Sequence, residues 1–159
     1  MIKQYVPIDD LGHWEWSGHK FHPADYFGFV YCIENKKDKT FYIGKKQFYH
    51  HGKKKSRTYG KEMNWRNYVG SSKHLKEDIK KHGKKHFKFD MIDLYSSRGG
   101  LYYAEAYLQM LTGCMIDYKK VGKPEARFYN RQIAAIRFRP TEFPSKKTIA
   151  YVNKLKKRY

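Results

Sequence analysis

Phe27-Gly28-Phe29-Val30-Tyr31-Cys32-Ile33, a six-residue polar stretch, and Thr40-Phe41-Tyr42-Ile43-Gly44 together decide the fold. The first run puts Phe27, Phe29, Tyr31 and Ile33 on one side and Gly28, Val30 and Cys32 on the other, the period of a strand. Glu34-Asn35-Lys36-Lys37-Asp38-Lys39 has the composition of a hairpin loop, after which β-branched and aromatic residues resume until Gly44 breaks the run. Tyr31 and Tyr42 can therefore approach each other across an antiparallel pair, with Lys45-Lys46 following at once. Tyrosine is a common strand former, so a purely structural role stands beside a catalytic one.

Phe29-Val30-Tyr31 and Tyr42-Ile43-Gly44, with ten residues between the tyrosines, resemble the GIY-YIG nuclease family. In that family a tyrosine closes the first strand and Tyr-Ile-Gly closes the second. The second motif is intact here, whereas Phe29 and Val30 stand where the first usually has glycine and isoleucine. The likeness extends from Tyr26 to Ile133 and is nearest to the free-standing GIY-YIG endonucleases of bacteriophages. It implies an α/β (α+β) fold: a small, mainly antiparallel three-stranded sheet flanked by helices.

Composition bounds the function independently. Thirty-four Lys and Arg against fifteen Asp and Glu give the 159-residue chain a formal charge of +19, a field that attracts polyanions. Aromatic residues make up 18%, and tyrosines interleave with cations in Lys46-Gln47-Phe48-Tyr49 and Arg57-Thr58-Tyr59-Gly60-Lys61, which suits phosphate contact beside base or sugar packing. Charge alone does not separate a DNA enzyme from a non-catalytic basic protein of a ribonucleoprotein or DNA-packaging assembly. Cys32 and Cys114 are too few and too far apart for a disulfide framework or thiolate zinc site. No apolar run is long enough to span a bilayer and none at the N-terminus serves for export, so a soluble, cytoplasmic protein without a membrane partner is expected.

Read along the chain, residues 1–25 form an N-terminal extension in which Trp14, Trp16 and Phe21 alternate with polar residues, as an added edge strand would. Its His13, His19 and His22 lack metal-site spacing, although a histidine-metal nuclease of another fold would be built on them. Residues 26–135 form the nuclease-like domain, interrupted around 45–68 by a flexible basic insertion with Gly52 and Gly60 as breakers. A helix is predicted over Ser71 to His82, with Ser71 or Ser72 as N-cap, Leu75 and Ile79 on one face and Gly83 at the end. Phe87, Phe89 and Met91 begin a third strand that runs through Leu94 and ends at Ser96-Ser97-Arg98-Gly99-Gly100. A second helix is predicted over Leu101 to Thr112, where Leu101, Ala104, Leu108 and Leu111 recur at helical spacing before Gly113. Residues 136–159 form a basic tail in which Ile149, Val152 and Leu155 allow a short helix with an apolar edge.

Glu105 interrupts the apolar stripe of the second helix as its only carboxylate. Burying it alone is costly, and such a break in pattern marks a functional site; the alternative is an edge glutamate reaching solvent or a lysine. In the family resembled, a glutamate on this helix holds the single catalytic metal, which implies Mg²⁺ on Glu105, with Mn²⁺ able to substitute, in a DNA endonuclease of phage homing type. Tyr42 is then the general base and Tyr31 orients it or the water. A phenol of ordinary pKa, about 10, is only about 0.1% ionised at pH 7, so the base needs cations nearby. Lys45 is one. The family arginine falls where this chain has its insertion, leaving Arg66 as first choice and Arg57 as the other, while His50 and His51 offer an alternative base. Asn130, in Tyr129-Asn130, holds the site together. Double-stranded DNA is the expected partner, its backbone met by Lys46, Lys53, Lys54, Lys55, Lys73, Lys76 and Lys80, and in the tail by Lys146, Lys147, Lys154, Lys156 and Lys157.

Overall fold

The computed structural model describes residues 9–114, 127–133, 135 and 140–156. Three strands, β1 (Gly28–Asn35), β2 (Thr40–Gln47) and β3 (Phe87–Tyr95), make one antiparallel sheet in the order β2-β1-β3. The β1–β2 turn closes on Lys39, which adopts a left-handed φ of 61° and donates its N–H to Asn35 O at 2.9 Å, while Asp38 Oδ1 accepts from Thr40 N at 3.0 Å. A loop of this length with a left-handed residue at its end matches the twist of the strands it joins.

Every residue of β1 is buried, because both faces of the sheet are covered. On one face Phe29, Tyr31, Ile33 and Tyr42 pack with Trp14, Phe48, Trp65, Leu75 and Phe89. Leu75 belongs to α1 (Lys73–His82), which starts where Ser72 Oγ accepts from Leu75 N and stops at Gly83, at φ 85°. On the other face Val30, Cys32, Phe41 and Ile43 pack with Leu101, Ala104 and Leu108 of α2 (Arg98–Thr112) and Val152 and Leu155 of α3 (Lys146–Lys156).

Three features differ from the sequence-based expectation. The second helix begins at Arg98, so Gly99 and Gly100 form its first turn instead of ending the strand. Ser97 Oγ caps it by accepting from Gly100 N at 3.0 Å, and glycine fits because a Cβ on Gly100 would lie 2.2 Å from Glu142 Cγ. Among its described residues the N-terminal extension adds one parallel bridge, Glu15 to Asp90, instead of a strand, and inserts Trp14 into the core, its indole donating to Trp65 O at 2.7 Å. The basic insertion is closed at its base by an antiparallel Tyr49–Glu62 bridge, with His50 N donating to Lys61 O and Met63 N to Phe48 O.

The tail docks through the apolar edge of α3. Two aspartates of β3, on either side of a register shift in its pairing with β1, receive it: Asp93 Oδ2 accepts from Thr148 Oγ1 at 2.7 Å, and Asp90 Oδ2 from the Tyr151 hydroxyl at 2.8 Å. Among the described residues no helix is long and apolar enough to cross a membrane.

Candidate active site

Pairing places Ile33 opposite Tyr42 and Tyr31 opposite Gly44, so the two tyrosines are diagonal neighbours on one face with ring centroids 6.0 Å apart. The Tyr31 ring lies over Gly44: a Cβ there would sit 2.5 Å from Tyr31 Oη and 2.9 Å from Tyr42 Cε1. Burial pushes the Tyr31 phenol well above its ordinary pKa, and Tyr42, Tyr68 and Glu105 push it further. Tyr31 is therefore a neutral hydrogen-bonding group. The Tyr42 hydroxyl shares a hydrogen bond with Ser71 Oγ at 2.9 Å, at the threshold of α1.

Strand alternation then separates the two lysines. Residues 42, 44 and 46 face the tyrosine side, and 43 and 45 face α2. Lys46, expected to meet DNA backbone, lies with Nζ 4.1 Å from the Tyr68 ring centroid, and desolvation lowers its pKa. Lys45, expected beside the Tyr42 phenol, points to the other face. There its ammonium pairs with Glu105 Oε2 and lies 4.1 Å from the Tyr102 ring centroid. This pairing answers the break in pattern on α2, since Glu105 is only 7% exposed and its partner removes the cost of an unpaired buried charge.

Despite lying on opposite faces, Tyr42 and Glu105 reach one cavity of about 370 Å³ at the outer edge of β2. Asn130 holds that edge. Residues 127–130 run beside β2, bridging Phe128 to Phe41, and the Asn130 side chain extends the pairing: Oδ1 accepts from Ile43 N at 3.0 Å and Nδ2 donates to Ile43 O at 2.7 Å. Gln109, one helical turn beyond Glu105, donates Nε2 to the same Ile43 carbonyl at 3.0 Å. Asn130 and Gln109 thus tie the helix carrying Glu105 to the strand carrying Tyr42. Ser71, Lys73 and His74 bring the N-terminal end of α1 to the cavity, and Arg131 also lines it, one guanidinium nitrogen held by the carbonyls of Phe128 and Asn130.

The remaining expected site residues lie elsewhere. Arg66 does not line the cavity; it stacks on Trp65 and is engaged by Glu62 and by Asp10, so it clamps the N-terminal extension to the insertion. Arg57 is exposed on the insertion with Lys53, Lys54 and Lys55. His51 stacks on Phe27 at 4.7 Å, and neither it nor His50 lines the cavity. In the extension, His13 stacks on Phe89, His19 bonds the Tyr26 hydroxyl and His22 accepts from Ala24 N. Lys76 and Lys80 are exposed on α1, over the tyrosine face, whereas Lys146, Lys147 and Lys154 belong to α3, over the opposite face. The Lys156 side chain and Lys157 lie outside the described residues.

Ser71, Gln109 and Arg131 were missed from sequence. Gln109 had a signal: it repeats the polar interruption of the apolar stripe four residues after Glu105.

A family model described as "Putative endonuclease segE, GIY-YIG domain" matches residues 14–133. The chain belongs to the GIY-YIG nuclease family. It is a DNA endonuclease, and the matched residues include the hairpin that carries Tyr31 and Tyr42. No curated protein and no solved structure matches it. GIY-YIG nucleases use divalent metal ions, and the donor set at the cavity fits a hard one. Glu105 offers a single carboxylate, which suits a cation that keeps most of its waters. Among the described residues no three His, Cys, Asp or Glu side chains cluster as a fully protein-ligated metal would require.

Proposed function

We propose that this GIY-YIG endonuclease hydrolyses phosphodiester bonds of double-stranded DNA with Tyr42 as general base and Mg²⁺ on Glu105, Mn²⁺ being able to substitute. The observation that carries this reading is the convergence of the Tyr42 hydroxyl and the Glu105 carboxylate on one cavity from opposite faces of β2. When bound, the cation supplies positive charge to the phosphate oxygens and the departing 3′ oxygen.

The chain's own residues do the rest. Tyr42, hydrogen-bonded to Ser71 and acting as its phenolate, takes the proton of the attacking water and becomes the neutral phenol. Tyr31, kept neutral by burial, orients the Tyr42 oxygen. The N-terminal end of α1 lines the cavity, where the helix dipole favours the phosphate, with Lys73 beside it. Arg131 takes the part first given to Arg66 and Arg57, because among the described residues it is the arginine that lines the cavity. Lys45 neutralises Glu105 until the cation enters. Cleavage leaves 5′-phosphate and 3′-hydroxyl ends, and homing is the role we attach to it, from the likeness to free-standing phage endonucleases.

The test is cleavage of a mixed panel of duplexes in Mg²⁺ or Mn²⁺ by wild type, Tyr42→Phe and Glu105→Ala, with binding followed separately. Each substitution should reduce cleavage at least about 100-fold while binding persists. Cleavage by Glu105→Ala at the wild-type rate would remove Glu105 from the mechanism.

A further inference from the structure

Gln109 is 4% exposed, and its Oε1 is buried without a hydrogen-bond partner among the described residues. Its orientation is set by chemistry: Ile43 O only accepts, so the amide nitrogen must face it at 3.0 Å and the oxygen must face away. A buried carbonyl oxygen left unpaired is destabilising, so this acceptor calls for a donor that the described residues do not supply. Gln109 lines the same cavity as Glu105 and follows it by four residues on α2, which places the two side chains one above the other on one helix face.

We propose that Gln109 is a positioning residue of the cation site, its Oε1 accepting a hydrogen bond from a water of the divalent cation held by Glu105. This rests on Glu105 being the cation ligand. A hard divalent cation keeps several waters, and their hydrogens need acceptors at fixed positions if the cation is to be fixed as well. One carboxylate cannot supply them all. The amide is suited to the task because its nitrogen is already anchored to β2, so the oxygen is held without further ordering. Gln109 would thereby link cation position to the strand that carries Tyr42.

Mn²⁺ binding to the full-length protein, followed by electron paramagnetic resonance with and without a short duplex, tests this apart from cleavage. Gln109→Met removes both donor and acceptor; Gln109→Glu removes the donor to Ile43 but keeps acceptor oxygen. Both should lower the melting temperature. Only Gln109→Met should weaken Mn²⁺ binding, roughly ten- to a hundredfold, with Gln109→Glu binding at least as tightly as wild type. Mn²⁺ affinity of Gln109→Met within twofold of wild type, while Glu105→Gln abolishes binding, overturns the proposal and leaves Gln109 as a tie between α2 and β2 that encloses ordinary water. Unchanged binding in Glu105→Gln, or no Mn²⁺ site in wild type under either condition, overturns the Glu105 reading along with it.

Discussion

A methyl group on Gly44 has no space, because the Tyr31 hydroxyl lies 2.5 Å from where it would sit. Gly44→Ala should therefore displace both tyrosine rings, lowering stability by about 1–3 kcal/mol and reducing cleavage beyond what the lost stability explains, measured by urea unfolding beside a cleavage assay at low temperature. His13 makes a second residue-scale prediction. It stacks on Phe89 with neither ring nitrogen in a hydrogen bond of ordinary geometry, and burial, helped by Lys84, lowers its pKa from 6.5 to about 4. The unfolded chain therefore takes up this proton first as pH falls. The stability is fully present above pH 6.5 and is lost as pH falls towards about 4, an effect on the order of 2 kcal/mol after allowing for part exposure. His13→Phe should flatten that part of the stability–pH curve. Tyr31, Tyr42 and Glu105 were legible in the sequence because strand period two and helix period 3.6 each fix which way a side chain points. The same period, carried past Gly44, assigns Lys45 and Lys46 to opposite faces. Arg66 was misread for a different reason: what matters is where the insertion returns in space, and spacing along the chain does not encode that.

At the scale of elements, the three strands and helices α1 and α2 follow from local pattern, and the differences arise where tertiary contact overrides it. Gly99-Gly100 reads as a terminator, yet becomes helix because Ser97 caps it and Glu142 packs where a side chain would be, bonding Ser97 N at 2.7 Å. The extension reads as a strand, but its described residues pair with the sheet only through Glu15, because its indoles pack into and around the core. The tail left two outcomes open, binding DNA or docking, and the acceptors on β3 favour docking. Asp93 alone receives Thr148 Oγ1, Ser145 N and the Tyr95 hydroxyl. Asp93→Ala should cost about 1–3 kcal/mol, read as a lower urea midpoint. Cleavage at 25 °C should stay near wild type, because α3 lies across the sheet from the tyrosines.

For the whole molecule, a charge of +19 favours salt-sensitive binding to a polyanion without saying which cations meet it. The two layers divide them. The insertion is rooted through Phe48 and Trp65 in the cluster that holds Tyr42, and α1 packs on that cluster through Leu75, whereas α3 packs on the opposite one. A duplex whose phosphate enters the cavity between α1 and β2 therefore has the insertion and α1 within the same layer. Each phosphate contact contributes about 0.9 to the slope of log binding constant against log salt. Replacing Lys53, Lys54 and Lys55 with glutamine should then reduce the slope by about 2 to 3, while the same change at Lys146, Lys147 and Lys154 should alter it by less than about 1. Neither triple variant should shift the melting temperature much, since these side chains are exposed. Equal slope changes from the two sets would mean that DNA spans both faces of the sheet, and the path of the duplex would then have to pass around an edge of the sheet instead of lying over the tyrosine layer.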